Sequence, residues 1–145
     1  MQRLGLENKI GHFEKACRSA GLKITHQRLE IFRELAASLD HPSAETLYKR
    51  LQATLPTVSL DTVYRTLNTL EDYGLVARID TAESQGRFEA EMSPHHHVVC
   101  NECGKITDFE CQDLDESIVS DTVSDWGKIH RMNITLYGLC KDCSG

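Results

Sequence analysis

Apolar positions in the first half of the chain recur every three or four residues. Between Leu6 and Ala20 they fall at Ile10, Phe13, Ala16 and Cys17, and Gly21 follows as a C-terminal cap. This spacing predicts a helix over 6–20. A second helix is expected in HQRLEIFRELAAS, capped by Thr25, with Leu29, Ile31, Phe32 and Leu35 as its stripe. Asp40-His41-Pro42 ends it, because proline disfavours helix in the residue before it. Ser43 caps a third helix, AETLYKRLQATL, closed by Pro56. A fourth starts at Ser59 and ends at Gly74, with Leu60, Val63, Leu67 and Leu70 on one side. Asp61, Thr62, Arg65, Asn68 and Thr69 share the opposite side, and Tyr64 lies on the border.

Beyond Gly74 the pattern changes. LVARID and RFEAEM read as extended segments around the turn-like TAESQG. Helices followed by a hairpin make a winged helix-turn-helix pattern, whose recognition helix enters the DNA major groove. Arg65 suits guanine or phosphate, Asn68 suits adenine, and Thr62, Tyr64 and Thr69 suit phosphate or methyl groups. An amphipathic helix with a merely solvated outer face would show the same periodicity. Further on, HHHVVC, KITDFE and KIHRMNITLYGLC read as strands, and residues 113–127 as a helix. The expected architecture is α+β: a winged-helix domain over 1–88 and a small α/β domain over 89–145.

Net charge first argues against nucleic acid. The 145 residues hold 16 Lys and Arg against 22 Asp and Glu, a formal charge of -6. The total is unevenly spread. Residues 1–82 carry 11 basic and 10 acidic side chains, whereas residues 83–145 carry 5 and 12. Acidity therefore belongs to the second half, and a DNA contact of the first would rest on local placement of Lys and Arg, with strong salt sensitivity. No apolar run approaches the roughly 18 residues of a membrane span. The first residues also lack the apolar stretch of a signal peptide, which points to the cytoplasm.

The second half also gathers the metal-binding residue types. Cys100-x-x-Cys103 and Cys140-x-x-Cys143 each place two thiolates on one turn, half of a tetrahedral zinc shell. A structural four-thiolate site is expected, and it would stabilise a segment too short for a large core. A redox dithiol and two disulfides are the competing readings. Cys17 reads as core, and Cys111 has no partner in sequence. His95 and His97 lie two apart on a strand and so point the same way, with His96 opposite. Glu89, Asp108 and His41 are the residues to complete such a site, and mixed imidazole and carboxylate donors suit Fe(II), Mn(II), Zn(II) or Co(II). A surface histidine run with incidental affinity is the plain alternative.

Taken together, HPSAETLY, SLDTVYRTLNTLEDYGLV, HHHVVCNECGKITDF and YGLCKDC resemble the ferric-uptake-regulator family of metal-sensing repressors, from about Gly21 to Cys143. The resemblance implies a homodimer that binds a palindromic double-stranded operator and is not an enzyme, with an N-terminal winged helix and a C-terminal α/β dimerisation domain. By position, Cys100, Cys103, Cys140 and Cys143 match its structural zinc ligands. His41, Glu89, His95, His97 and Asp108 match its regulatory site for Fe(II) or Mn(II), with His41 reaching across from the DNA-binding side. Tyr64 and Arg65 fall where the family touches DNA.

Within the family, Asp108 and the lack of an acidic residue at His96 resemble the peroxide-sensing branch, in which a ligand histidine, His41 or His95, is oxidised. Glu89 and Arg65 resemble iron-uptake members, which makes an iron-availability repressor the alternative. His26 replaces a proline common in the family, and no Cys near His95 resembles the zinc-uptake sensing site. His96 and His130 match part of a third metal site whose acidic partner is missing. A metal-dependent hydrolase with Glu89 as base is a remote reading, since no further catalytic group has a defined role.

Overall fold

Local signals in the first half produce the elements they predict. In the computed structural model, which describes residues 5–81, 86–90, 95–110, 121, 123–128, 132 and 134–145, helix α1 spans Leu6–Ala20. Gly21 closes it at φ 73, and its N–H and that of Leu22 donate to the Arg18 and Cys17 carbonyls. Helix α2 spans His26–Ala37, and the Thr25 hydroxyl accepts from the Arg28 N–H at 3.1 Å. Helix α3 spans Ala44–Arg50, capped by Ser43. It is shorter than expected, because the chain tightens into a 3-10 turn over Leu51–Ala53 as it approaches Pro56. Helix α4 spans Leu60–Asp72.

The chain divides into two compact units, Gln2–Ser93 and Pro94–Gly145. In the first, the helices bury Phe13, Cys17, Ile31, Phe32, Leu35, Leu47, Val63, Leu67 and Leu70 in one core, with Phe13 stacked on Phe32 at 4.1 Å. Cys17 is fully buried there, as its helical position implied. The apolar stripe of α4 is rotated slightly from expectation. Thr66 is buried with Val63, Leu67 and Leu70, while Leu60 is half-buried. Strands β1 (Ala77–Ile79) and β2 (Arg87–Glu89) form the antiparallel wing, with Arg78 opposite Phe88. They are shorter than LVARID and RFEAEM.

In the second unit, β3 (His96–Cys100) is central, antiparallel to β4 (Ile106–Phe109) and parallel to β5 (Thr135–Gly138). A parallel neighbour requires a crossover between β4 and β5. The helix expected over 113–127 falls mostly outside the described residues, as do Cys111 and His130. Among the described residues of KIHRMNITLYGLC, those at 135–138 form a strand, and one helical turn, α5 (Lys141–Ser144), follows it. Among the described residues no helix is long and apolar enough to cross a membrane.

The cap on α4 is directly testable. The Ser59 hydroxyl accepts from the Thr62 N–H at 3.1 Å, so Ser59→Ala leaves that donor to solvent. The expected loss is about 1 kcal/mol. A domain of this size should then melt about 4–8 °C lower. Thermal unfolding followed by circular dichroism checks this, and an unchanged midpoint would count against the cap.

Candidate metal centres and DNA-facing helix

The four-cysteine site assembles at one end of the second sheet, where the parallel strands β3 and β5 both finish. Cys100 ends β3 and leads into the turn that carries Cys103, while Cys140 and Cys143 flank the first turn after β5. All four sulfur atoms lie within 4.8 Å of one another. The Cys103 and Cys140 sulfurs are 3.8 Å apart. A tetrahedron with Zn–S bonds of ~2.3 Å has an edge of about 3.8 Å, so this donor set fits zinc. Backbone N–H groups of Cys103 and Cys140 point at the Cys100 sulfur at 3.5 and 3.4 Å. They bring the Cys100 thiol down to about 6. Cys143 is pushed up to about 12 by its contacts with Cys140 and Cys100. One thiolate opposes the next, and a dication at the centre removes that opposition.

In each unit a histidine imidazole is paired with a carboxylate. In Gln2–Ser93, the Phe88 N–H donates to the Pro42 carbonyl at 2.9 Å and Ser43 pairs with Arg87. Strand β2 is thereby laid against the loop between α2 and α3. This brings His41 Nε2 within 3.2 Å of Glu89 Oε2, although they lie 48 positions apart in the chain. Both are buried. Glu89 thus stands on the wing, in the same unit as His41.

His41 has a φ of 50, the only non-glycine residue with positive φ among those described. This conformation costs of order 1 kcal/mol or more for such a residue. Lys9, also buried, lines the same pocket as His41 and Glu89. Its place beside Ile10 and one turn before Phe13 was the available signal.

In Pro94–Gly145, His97 sits opposite Asp108 in the β3–β4 ladder, with His97 Nε2 3.4 Å from Asp108 Oδ1. The His95 and His97 rings meet edge to face at 4.6 Å, the shared direction expected from strand alternation. His96 turns the other way against Phe109, and its Nδ1 accepts from the Ile134 N–H at 3.1 Å. That bond commits one ring nitrogen of His96 to holding the strands.

On α4, Arg65 and Asn68 are exposed, and Thr62, Tyr64 and Thr69 are half-buried. Arg65 pairs with Asp61 at 2.9 Å on the solvent side, and Tyr64 packs partly on the core. The Asn68 carbonyl oxygen accepts from Arg78 at 2.5 Å. A bidentate adenine contact by Asn68 would need that oxygen back. Arg78 also approaches Glu71 at 3.5 Å and lies over the Phe88 ring at 5.1 Å. It ties the helix to the wing, a role that periodicity did not point to.

A winged helix joined to a sheet clipped by four cysteines, with paired imidazoles and carboxylates, defines a metal-binding DNA-binding regulator. Residues 19–137 match the model of the ferric uptake regulator family. The peroxide-responsive repressor PerR of Staphylococcus saprophyticus is 36% identical over 139 residues, 95% of this chain and 93% of that protein. Among solved structures, the Helicobacter pylori ferric uptake regulator Fur, described with three functional metal binding sites, superimposes with a TM-score of 0.78. It is 28% identical, and the match covers 100% of this chain and 98% of that one. The manganese form of the Pseudomonas aeruginosa ferric uptake regulator is 34% identical, with a TM-score of 0.74 over 88% of this chain and 97% of that one. The chain belongs to the ferric uptake regulator family.

Proposed function

We propose that this protein is a metal-dependent transcriptional repressor that responds to peroxide, with zinc as a structural ion and Fe(II) or Mn(II) as the regulatory one. The observation that carries the reading is the sorting of donors by softness. Four thiolates are gathered in one cluster, and the imidazoles are paired with carboxylates instead. Soft and borderline ions are thereby directed to different places. The likeness to a peroxide-responsive repressor across 95% of the chain supports the branch.

In this reading His41 and Glu89 of the first unit, and His95, His97 and Asp108 of the second, are ligands of one regulatory ion. Donors drawn from both units favour the conformers in which the units face each other correctly. Differential affinity for those conformers is the coupling free energy to DNA, typically ~1–3 kcal/mol. The protein works as a homodimer. Val98 and Leu136, exposed and paired across β3 and β5, share one sheet face and offer an apolar patch for a second copy. Two recognition helices then meet a palindromic operator at a spacing set by the dimer. Thr62, Tyr64, Arg65, Asn68 and Thr69 face the duplex.

When bound, Fe(II) would supply the redox activation by which peroxide adds one oxygen to an adjacent imidazole and is itself reduced to water. His41 and His95 are the imidazoles placed to be modified, and losing either as a donor releases the operator. Mn(II) in the same place should preserve repression without the response. Operator binding is therefore measured with Fe(II) and with Mn(II), each before and after peroxide. The expected result is loss only in the iron form, with oxygen added to peptides carrying His41 or His95. Insensitivity in both forms, with no added mass, would make the protein an iron-availability repressor instead.

A further inference from the structure

The backbone at His41 requires something to hold it. Its φ of 50 is left-handed, and the next residue is Pro42, whose ring pushes the preceding residue towards extended backbone. Both local preferences therefore oppose the observed conformation. No helix or strand spans Asp40-His41.

Arg87 supplies the missing restraint. Its Nε donates to the His41 carbonyl in a short hydrogen bond, and one Nη donates to the Asp40 carbonyl at 2.9 Å. The planar fork spans two successive carbonyls, which a flexible ammonium does not do. Arg87 is itself held on β2, two residues before Glu89, and it bridges to Ser43. A second arginine completes the frame. Arg50 binds the Asp40 carboxylate through two contacts, at 3.0 and 2.6 Å, and the Ser38 hydroxyl at 3.1 Å. That pairing holds the Asp40 carboxyl below its ordinary range.

We propose that Arg87 is the positioning residue of the His41 imidazole, holding the Asp40 and His41 carbonyls so that His41 stays in its strained backbone conformation and faces Glu89. The inference rests on the reading of His41 as a ligand of the regulatory ion. Arg87 touches no metal in this scheme. It removes a backbone freedom that His41 would otherwise use to turn away from Glu89, so the donor is in place before the ion arrives. Position 87 is thus tied to position 41 by main-chain contacts, which a scan of metal-ligand residue types passes over.

The test is Mn(II) affinity of the full zinc-loaded chain, measured by titration of free Mn(II) with magnetic resonance detection. The variants are Arg87→Ala, Arg87→Lys, His41→Ala and the double Arg87→Ala/His41→Ala. Outer partners of metal ligands typically change affinity 10–100-fold. Arg87→Ala should weaken Mn(II) about tenfold, and Arg87→Lys should recover part of the loss through one carbonyl. In the His41→Ala background, Arg87→Ala should have no further effect, since the residue it positions is gone.

An equal loss in both backgrounds, or an unchanged affinity with only a lower melting temperature, would overturn the positioning role. If His41→Ala itself leaves Mn(II) affinity unchanged, His41 is not a ligand and the inference falls with that reading. If only Arg87→Ala is silent, the ligand reading survives alone. Should Arg87→Ala fail to fold, Arg87→Lys and Arg87→Gln carry the same comparison.

Discussion

Cys140→Ser should cost the protein its retained zinc and unfold the Pro94–Gly145 unit. Four sulfurs within 4.8 Å tie the end of β3 to the chain leaving β5. The Cys140 N–H also supports the Cys100 sulfur at 3.4 Å. Serine offers a hard, protonated hydroxyl where a thiolate is required. Structural zinc contributes an apparent ~10–16 kcal/mol in small zinc-binding folds, as much as the whole stability of a typical domain, about 5–15 kcal/mol. The described residues of this unit bury few large apolar side chains, Val99 and Cys100 being the main ones. Among those described residues, little else is present to compensate. Zinc content per chain by mass spectrometry, with circular dichroism melting, reads the outcome. A variant that keeps one tightly bound zinc and melts like the parent would refute the structural role of the site.

The second large effect separates the two metals. His97→Ala removes an imidazole that lies opposite Asp108 and against His95. Outer partners alone are worth 10–100-fold, so loss of a direct ligand should weaken Mn(II) by more than about 100-fold. The metal-dependent gain in operator affinity should vanish with it. Zinc content should stay at that of the parent, because the four cysteines do not involve His97. Mn(II) titration and operator binding at fixed salt are the measurements. An Mn(II) affinity within threefold of the parent would remove His97 from the ligand set. The opposite behaviour of Cys140→Ser and His97→Ala makes the pair more informative than either alone.

Legibility followed the range of the interactions. The four helices of the first half were readable because each is specified locally. Thr25, Ser43 and Ser59 cap α2, α3 and α4 through N–H groups three residues on, and Gly21 closes α1. The cysteine site was readable for a similar reason, since each CxxC pair is one turn and two pairs of thiols have few other uses. The wing was readable only in outline. Its strands span three residues each, and their register depends on contacts with other elements. The same is true of Arg78, whose partners Asn68, Glu71 and Phe88 lie 7 to 10 positions away on two elements.

The amino-acid order by itself determined the helical half, the pairing of cysteines by CxxC spacing, and the common direction of His95 and His97. Each follows from backbone periodicity or from residues within one turn. Tertiary structure alone decided that β2 lies against the loop of His41, so that Glu89 and a histidine far earlier in the chain meet at 3.2 Å. It also decided that Arg87 would hold His41 at a φ of 50, against both its own preference and that of Pro42. No local rule predicts a disfavoured conformation. It persists because contacts from a distant strand outweigh the local cost, and those contacts exist only once the chain has folded.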